Sequence, residues 1–270
     1  MLSIIIVGHN NRDLIIDCIK SIWKDTSLKD KEIIAVDNGS TDGSQDAIKK
    51  LQKSIPNVTL IENKENLGFA KANNQGIKKA RGEYILLLNS DIIVKKGSLG
   101  KLLAFARKKR DAGVVGPKLL NVDGSLQPSC FRFPTINNAI REYWFGEKGL
   151  FEKYAPKSKK ASTVDAVVGA AFLMTPAVLE KVGVLDEKYF AYFEDIDYCR
   201  NVWKKGLKVY YYPEAEIIHY HGATFKKMAK KEDQWRKLIP SSKIYHGVLK
   251  HHILFIIMWL GQKWQRLLKK

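Results

Sequence analysis

Apolar runs, each followed by a stretch with helical spacing, recur through the first 115 residues. Residues 2–7 form an unbroken apolar, β-branched run. Leu14, Ile15, Cys18 and Ile22 then return at the spacing of one helix face, predicting a helix over 13–24. The same alternation predicts strands at 32–36, 58–61, 84–88 and 113–115, and helices at 45–53, 70–80 and 98–109. Repeated β-α units of this length imply a Rossmann-like α/β fold, a mostly parallel sheet with helices on both faces. Ligands of such sheets bind beyond the carboxyl ends of the strands. The polar clusters His9-Asn10, Asp37-Asn38, Asn66-Leu67-Gly68 and Asn89-Ser90-Asp91 fall there.

Beyond residue 116 the pattern changes. Residues 117–163 carry Pro117, Pro128, Pro134 and Pro156 with weak periodicity, and read as an irregular excursion. An apolar stretch at 164–174, a short helix at 177–182, a helix at 195–205 and strands at 208–212 and 216–219 follow. From 225 onward the chain is basic and helical in character. The expected organisation is a first half, 1–115, a second half of the same domain, 116–225, and a tail, 226–270.

Composition narrows the class. With 45% hydrophobic and 10% aromatic residues in 270, the chain can bury a core, which excludes bulk disorder. The formal net charge of +18 is uneven: residues 226–270 hold 12 Lys/Arg against Glu232 and Asp233, a net +10. A basic tail suits an anionic surface. The three cysteines are far apart in sequence, which argues against a disulfide framework and for a reducing compartment. Residues 2–7 read as a strand rather than a signal peptide. The longest apolar run, 253–260, is too short to span a bilayer.

Several clusters have the residue types for chemistry, and each has a structural alternative. A carboxylate at a strand end, such as Asp91, can hold Mg²⁺ or Mn²⁺ against a diphosphate, or simply cap the next helix. Asp37 can accept a hydrogen bond from a base or ribose, or shape its Gly/Asp/Ser-rich turn. Gly68 opens a helix whose N-terminus attracts phosphate, with Lys71 one position into it. Glu194, Asp195 and Asp197 follow an aromatic stretch, where desolvation can tune a general base; helix capping also favours acids there. His219 and His221 end a strand on one side of it and suit a metal; a lone histidine is more often structural, but a pair ending a strand before Gly fits either role equally.

Taken together, Val7-Gly8-His9-Asn10, the stretch from Val36 to Ser44, Asn66-Leu67-Gly68-Phe69-Ala70, Leu88-Asn89-Ser90-Asp91, Glu194-Asp195-Ile196-Asp197 and His219-Tyr220-His221-Gly222 occur in the order of a known family. Over residues 2–225 the chain resembles a glycosyltransferase of family 2 with the GT-A fold, and within it the rhamnosyltransferase-type branch. The stretch from Pro117 to Gln127 is typical of that branch. The resemblance implies a nucleoside-diphosphate sugar donor, with Asp37 on the nucleobase and His9 and Asn10 lining the nucleoside site. Asn66, Gly68, Lys71 and Asn74 would lie near ribose and diphosphate, with Asn89 in the first position of the DxD-like motif. Asp91 matches the metal aspartate, His219 the metal histidine with His221 as its alternative, and Asp195 the catalytic base, with Glu194 and Asp197 next in line.

The implied reaction is inverting transfer, with a divalent cation as cofactor, of a sugar, rhamnose by resemblance, to a saccharide or lipid-linked saccharide in cell-surface polysaccharide synthesis. A nucleotidyltransferase would want a Gly-rich phosphate loop near the N-terminus, which Gly8-His9-Asn10-Asn11 is not. A basic nucleic-acid-binding module would interleave aromatics with its Lys/Arg, and the tail has few, so no nucleic-acid partner is expected. Instead Leu249, Ile253, Ile256, Leu260, Trp264 and Leu267 make one apolar stripe with basic flanks, predicting a helix lying on an anionic membrane. The expected location is cytoplasmic, peripheral on the inner face of the cell membrane.

Overall fold

The predicted β-α alternation closes into one sheet. The computed structural model describes residues 1–220 and 231–268. Strands β1 (Leu2–Gly8), β2 (Lys31–Asn38), β3 (Val58–Asn63) and β4 (Tyr84–Asn89) run parallel in the order β3-β2-β1-β4. The chain steps outward from β1 to β3, then returns to the other side of β1. That reversal opens a crevice at the carboxyl ends of β1 and β4.

Side chains of these strands alternate between two cores. Ile4, Ile6, Leu86 and Leu88 pack with buried residues of α1 (Arg12–Lys24), α2 (Ser44–Gln52) and α4 (Ser98–Lys108). Ile5, Ile34, Ile85 and Leu87 face the opposite way, against Ala70 and Ala72 of α3 (Phe69–Lys79), Val178 of α6 (Pro176–Lys181) and Val202 of α7 (Glu194–Lys204). Sandwiched between two apolar layers, the strands read as continuous hydrophobic runs.

The second half makes the sheet mixed. β6 (Ala112–Leu120) runs parallel to β11 (Lys208–His219), and β10 (Ala171–Met174) lies antiparallel between β4 and β6. The division expected at 115/116 falls inside β6, so one sheet carries both halves. The two strands expected at 208–212 and 216–219 are one strand. Its register against β6 shifts between Tyr212 and Glu216, where Pro213 has no N–H to offer the ladder. A strand absent from the sequence reading, β5 (Ile92–Val94), pairs antiparallel with the far end of β11. It brings the Asp91 turn up to His219.

The expected irregular excursion contains order. The short strands β7 (Cys130–Phe131) and β9 (Ala166–Val167) pair with each other, and β8 (Ser162–Thr163) pairs with β11. α5 (Ile136–Tyr143) is capped by Thr135, whose Oγ1 accepts from the Asn138 N–H. The tail holds α8 (Lys231–His246) and α9 (Val248–Leu268), which meet at a sharp bend at Gly247. No single described helix is long and apolar enough to cross a membrane.

Candidate functional site

At the ends of β1 and β2 the predicted nucleoside residues form a closed polar cluster. Asp37 is fully buried. Its Oδ2 accepts from Ser40 N and Gln45 Nε2, while its Oδ1 has no hydrogen-bond partner among the described residues. A buried carboxylate oxygen left this way is costly unless a ligand donor completes it. His9 donates through Nδ1 to the Asn38 carbonyl at 2.8 Å. Asn10, at φ 51°, clasps the two loops together: Ser40 Oγ accepts from its N–H and its Oδ1 accepts from Thr41 N. His9 and Asn10 therefore lie beside Asp37, as expected, and Asn10 also serves the loop itself.

The helix α3 entrance differs from expectation. Gly68 has φ +84°, and a Cβ there would stand 2.5 Å from the Phe190 carbonyl oxygen. The first N–H of the helix, Phe69 N, donates to that same oxygen at 2.7 Å. Gly68 thus admits the chain's own 190 loop, which takes the N-terminal donor that the sequence reading offered to phosphate. Asn66 is likewise occupied, its Oδ1 accepting from Asn38 Nδ2 and Gly68 N. Asn74 is buried, and all of its amide bonds go to the 185–187 segment: Leu185 O, Glu187 Oε1 and Leu185 N. It is a fastener, because a fully buried amide takes whatever backbone is adjacent. Lys71 is exposed. Gly68→Ala should destabilise the fold by about 1–3 kcal/mol from its backbone conformation alone, with the clash added, and urea unfolding measures it.

Asn89 ends β4, and Ser90 and Asp91 turn the chain into β5. Asn11 bonds to Ser90 across this turn. Asp91 and His219 are both buried, with Oδ1 and Nε2 3.3 Å apart. That spacing is close to the ~3 Å between neighbouring ligands of an octahedral ion with bonds of about 2.1 Å. Asp91 and His219 are therefore the residues that would hold a divalent cation. Among the described residues no group of three His, Cys, Asp or Glu surrounds one point. His221 lies outside the described residues.

Asp195 opens α7 on the other wall. Its Oδ2 accepts from Gly169 N and its Oδ1 from Ile196 N, both at 2.8 Å. The next residue, Ala170, accepts from Asn89 N through its carbonyl at 3.0 Å. Two consecutive residues thus tie Asp195 to the strand end that carries Asp91. Burial pushes the Asp195 carboxyl up; the two N–H groups and the Lys153 charge oppose it. Glu194 is pushed well up by burial and by the Asp195 charge. Asp197, held as a further base candidate, is buried and ion-paired with Arg200 one turn on, which removes it from that role.

The loop before Asp195 is strained and braced. Tyr192 and Phe193 both have positive φ, 69° and 68°, unusual for large side chains. Ser241 of α8 donates to the Ala191 carbonyl at 2.6 Å. Tyr245 of α8 packs against the Phe193 ring at 5.2 Å, with the Arg200 guanidinium 4.3 Å from its own ring centre. Sequence reading missed Gly169, Ser241 and Tyr245, each of which reaches the site from far along the chain; Phe190 lay in the aromatic stretch it noted, but its contact with Gly68 was not foreseen. Gln127, within the stretch typical of the resembled branch, bonds to His219 and was not assigned a part either.

Comparison with known proteins identifies the family and the fold. The family model "Glycosyl transferase family 2" matches residues 3–180. The chain is 30% identical over 212 residues to the N-acetylglucosaminyl-diphospho-decaprenol L-rhamnosyltransferase of Mycobacterium tuberculosis, a match spanning 70% of this chain and 66% of that protein. It is 26% identical over 245 residues to rhamnosyltransferase WbbL of Escherichia coli K12, covering 87% and 89% of the two chains. The mannosyltransferase PcManGT from Pyrobaculum calidifontis, solved with GDP-Man and Mn²⁺, superposes with a TM-score of 0.62 at 19% identity, over 96% of this chain and 69% of that one. At that identity the likeness shows the fold, which is GT-A. With the family model matched over most of its length, the chain belongs to glycosyl transferase family 2.

Proposed function

We propose that this protein is an inverting, divalent-metal-dependent glycosyltransferase. It moves a sugar from a nucleoside-diphosphate donor to a saccharide or lipid-linked saccharide in cell-surface polysaccharide synthesis. The observation that carries this reading is the Gly169–Ala170 tie, which links the Asp195 carboxylate to the end of β4, two residues before the Asp91 that pairs with His219. Asp37 Oδ1 receives a donor group of the nucleoside, beside His9 and Asn10, while Asn89 and the exposed Lys71 border the diphosphate. Asp195 takes the proton of an acceptor hydroxyl. That oxygen bonds to the anomeric carbon as the bond from this carbon to the diphosphate breaks on the opposite face. One displacement inverts the centre. A cation bound by Asp91 and His219 would neutralise charge on the departing diphosphate.

The named mycobacterial relative acts on a diphospho-decaprenol acceptor, and the two relatives described are rhamnosyltransferases. These supply the first donor and acceptor to try, deoxythymidine-diphosphate rhamnose and a polyprenyl-diphosphate saccharide. Incubation with candidate nucleotide sugars tests the reading: release of nucleoside diphosphate supports transfer. Release of pyrophosphate would instead indicate a nucleotidyltransferase, and no release with any donor a binding module.

The same reading places the enzyme at the cytoplasmic face of the membrane. The inner face of α9 is docked: His251 and Leu254 are buried, Gly261 abuts Tyr143, and the Ile257 carbonyl accepts from Trp144 Nε1. All six residues of the predicted stripe are exposed on its outer side, Leu249 at 77% and Leu267 at 67%. Lys250, Lys263 and Arg266 accompany them, and no acid lies in the helix. Apolar surface with basic company suits an anionic bilayer, each Lys/Arg contributing about 1 kcal/mol near it. The full chain should co-sediment with phosphatidylglycerol vesicles, less so at high salt, and an Ile256→Glu/Leu260→Glu variant should not. A wild-type chain that stays in the supernatant removes the membrane assignment, and concentration-dependent dimerisation would reassign the face to a second copy.

A further inference from the structure

The turn that follows β6 has no part in the mechanism above, yet it is built around one side chain. Asn121 N donates to Ser125 O, Asn121 Nδ2 donates to Ser125 Oγ, and Asp123 Oδ1 accepts from Ser125 N. The closed turn brings Gln127 back beside the strand it left, its N–H donating to Leu119 O at 2.9 Å. Gln127 is buried, and its amide makes three bonds. Nε2 donates to Asn121 Oδ1 at 2.8 Å and to the His219 carbonyl at 3.1 Å, and Oε1 lies 2.7 Å from His219 Nδ1.

The main-chain carbonyl of His219 settles the orientation of this amide, because it can only accept. The NH₂ group must therefore face it, and Oε1 must face the ring. An oxygen without a hydrogen obliges His219 Nδ1 to carry the proton. In the neutral ring Nε2 is then the lone-pair nitrogen, and it is the atom 3.3 Å from Asp91 Oδ1. Two acceptors held this close suit a shared cation. Ligand histidines depend on such a partner at the other nitrogen to fix ring and tautomer.

We propose that Gln127 is a positioning residue for the metal site: it locks His219 as the Nδ1–H tautomer and presents Nε2, with Asp91, to the divalent cation. It rests on the metal-dependent reading above. Gln127 touches neither sugar nor diphosphate in this role and acts only through His219.

Two variants separate positioning from simple packing. Gln127→Met keeps length but has no acceptor for Nδ1–H. Gln127→Glu loses both amide donations yet keeps an oxygen facing Nδ1. Mn²⁺ binding to the full chain, followed by electron paramagnetic resonance with UDP, GDP and dTDP in turn, should weaken about 10–100-fold in Gln127→Met and stay within a few-fold in Gln127→Glu. Long-range ¹H–¹⁵N spectra of the metal-free protein, with His219 assigned by substitution, should show Nδ1–H in the wild type and Gln127→Glu, and Nε2–H or a mixture in Gln127→Met. Equal weakening in both variants, or Nε2–H in the wild type, overturns the proposal. A wild type with Nδ1–H that binds no Mn²⁺ overturns the metal reading instead.

Discussion

Asp195→Asn should lower kcat by about 10²–10⁴-fold, the range lost with a general base, while donor binding persists. Asparagine has nearly the same shape but cannot accept the proton of the acceptor hydroxyl. It also cannot accept from both Gly169 N and Ile196 N, since one of its two terminal atoms is now a donor. A lost backbone bond of this kind costs about 1 kcal/mol, so a small fall in Tm accompanies the kinetic effect without explaining it. Steady-state kinetics with calorimetric titration of the donor check both halves. A variant with near-normal kcat would pass the role to Glu194, since Asp197 is engaged by Arg200. The pH profile gives a second reading. The base works deprotonated, and burial raises its carboxyl above the ordinary aspartate value. Activity should therefore fall on the acid side from a higher pH than an exposed aspartate would give.

The second large effect is expected at Asp91. Asp91→Ala removes one of the two side chains that fit the cation, and with it several kcal/mol of charge stabilisation on the leaving group. That is a loss on the order of 10³-fold or more in turnover. Asp91 is buried but belongs to neither apolar core, so the melting temperature should change less than the rate. Wild-type enzyme in excess EDTA should show the same loss and recover with added Mn²⁺. Full activity in EDTA would end the assignment of Asp91 and His219 to a metal.

Much of the first half was legible in sequence because its order is local. The run predicted at 2–7 is β1, ending one residue later, and the helix predicted at 98–109 is α4, ending one residue earlier. Each such element is set by a periodicity contained within itself. What was hidden depends on partners far along the chain. β5 has three residues and exists because β11 pairs with it. α5 lies in a proline-rich stretch without a strong pattern, and α9, more than a hundred residues later, covers it. Gly68 was correctly marked as a place of close approach, but the approaching group is Phe190 rather than a ligand. Asn74 carries the right residue type for a polar site, but its amide is taken up by the distant 185–187 segment. Among the candidate acids at 194, 195 and 197, Asp195 stood first by resemblance alone; the bond from Gly169 N, the Lys153 charge and the Arg200 ion pair are the physical differences between them, and none is legible in sequence.

The contact between α8 and the loop at 191–193 bears on how this enzyme can be handled. Family members with basic, apolar tails invite truncation when a soluble preparation is wanted. Here a cut before residue 231 would remove the Ser241 hydrogen bond and the Tyr245 ring from two left-handed residues that immediately precede Glu194 and Asp195. A shortened enzyme that no longer turned over would then say nothing about lipid, because anchor and scaffold would have been lost together. Point substitutions on the outer side of α9, which leave α8 in place, keep the two questions separate.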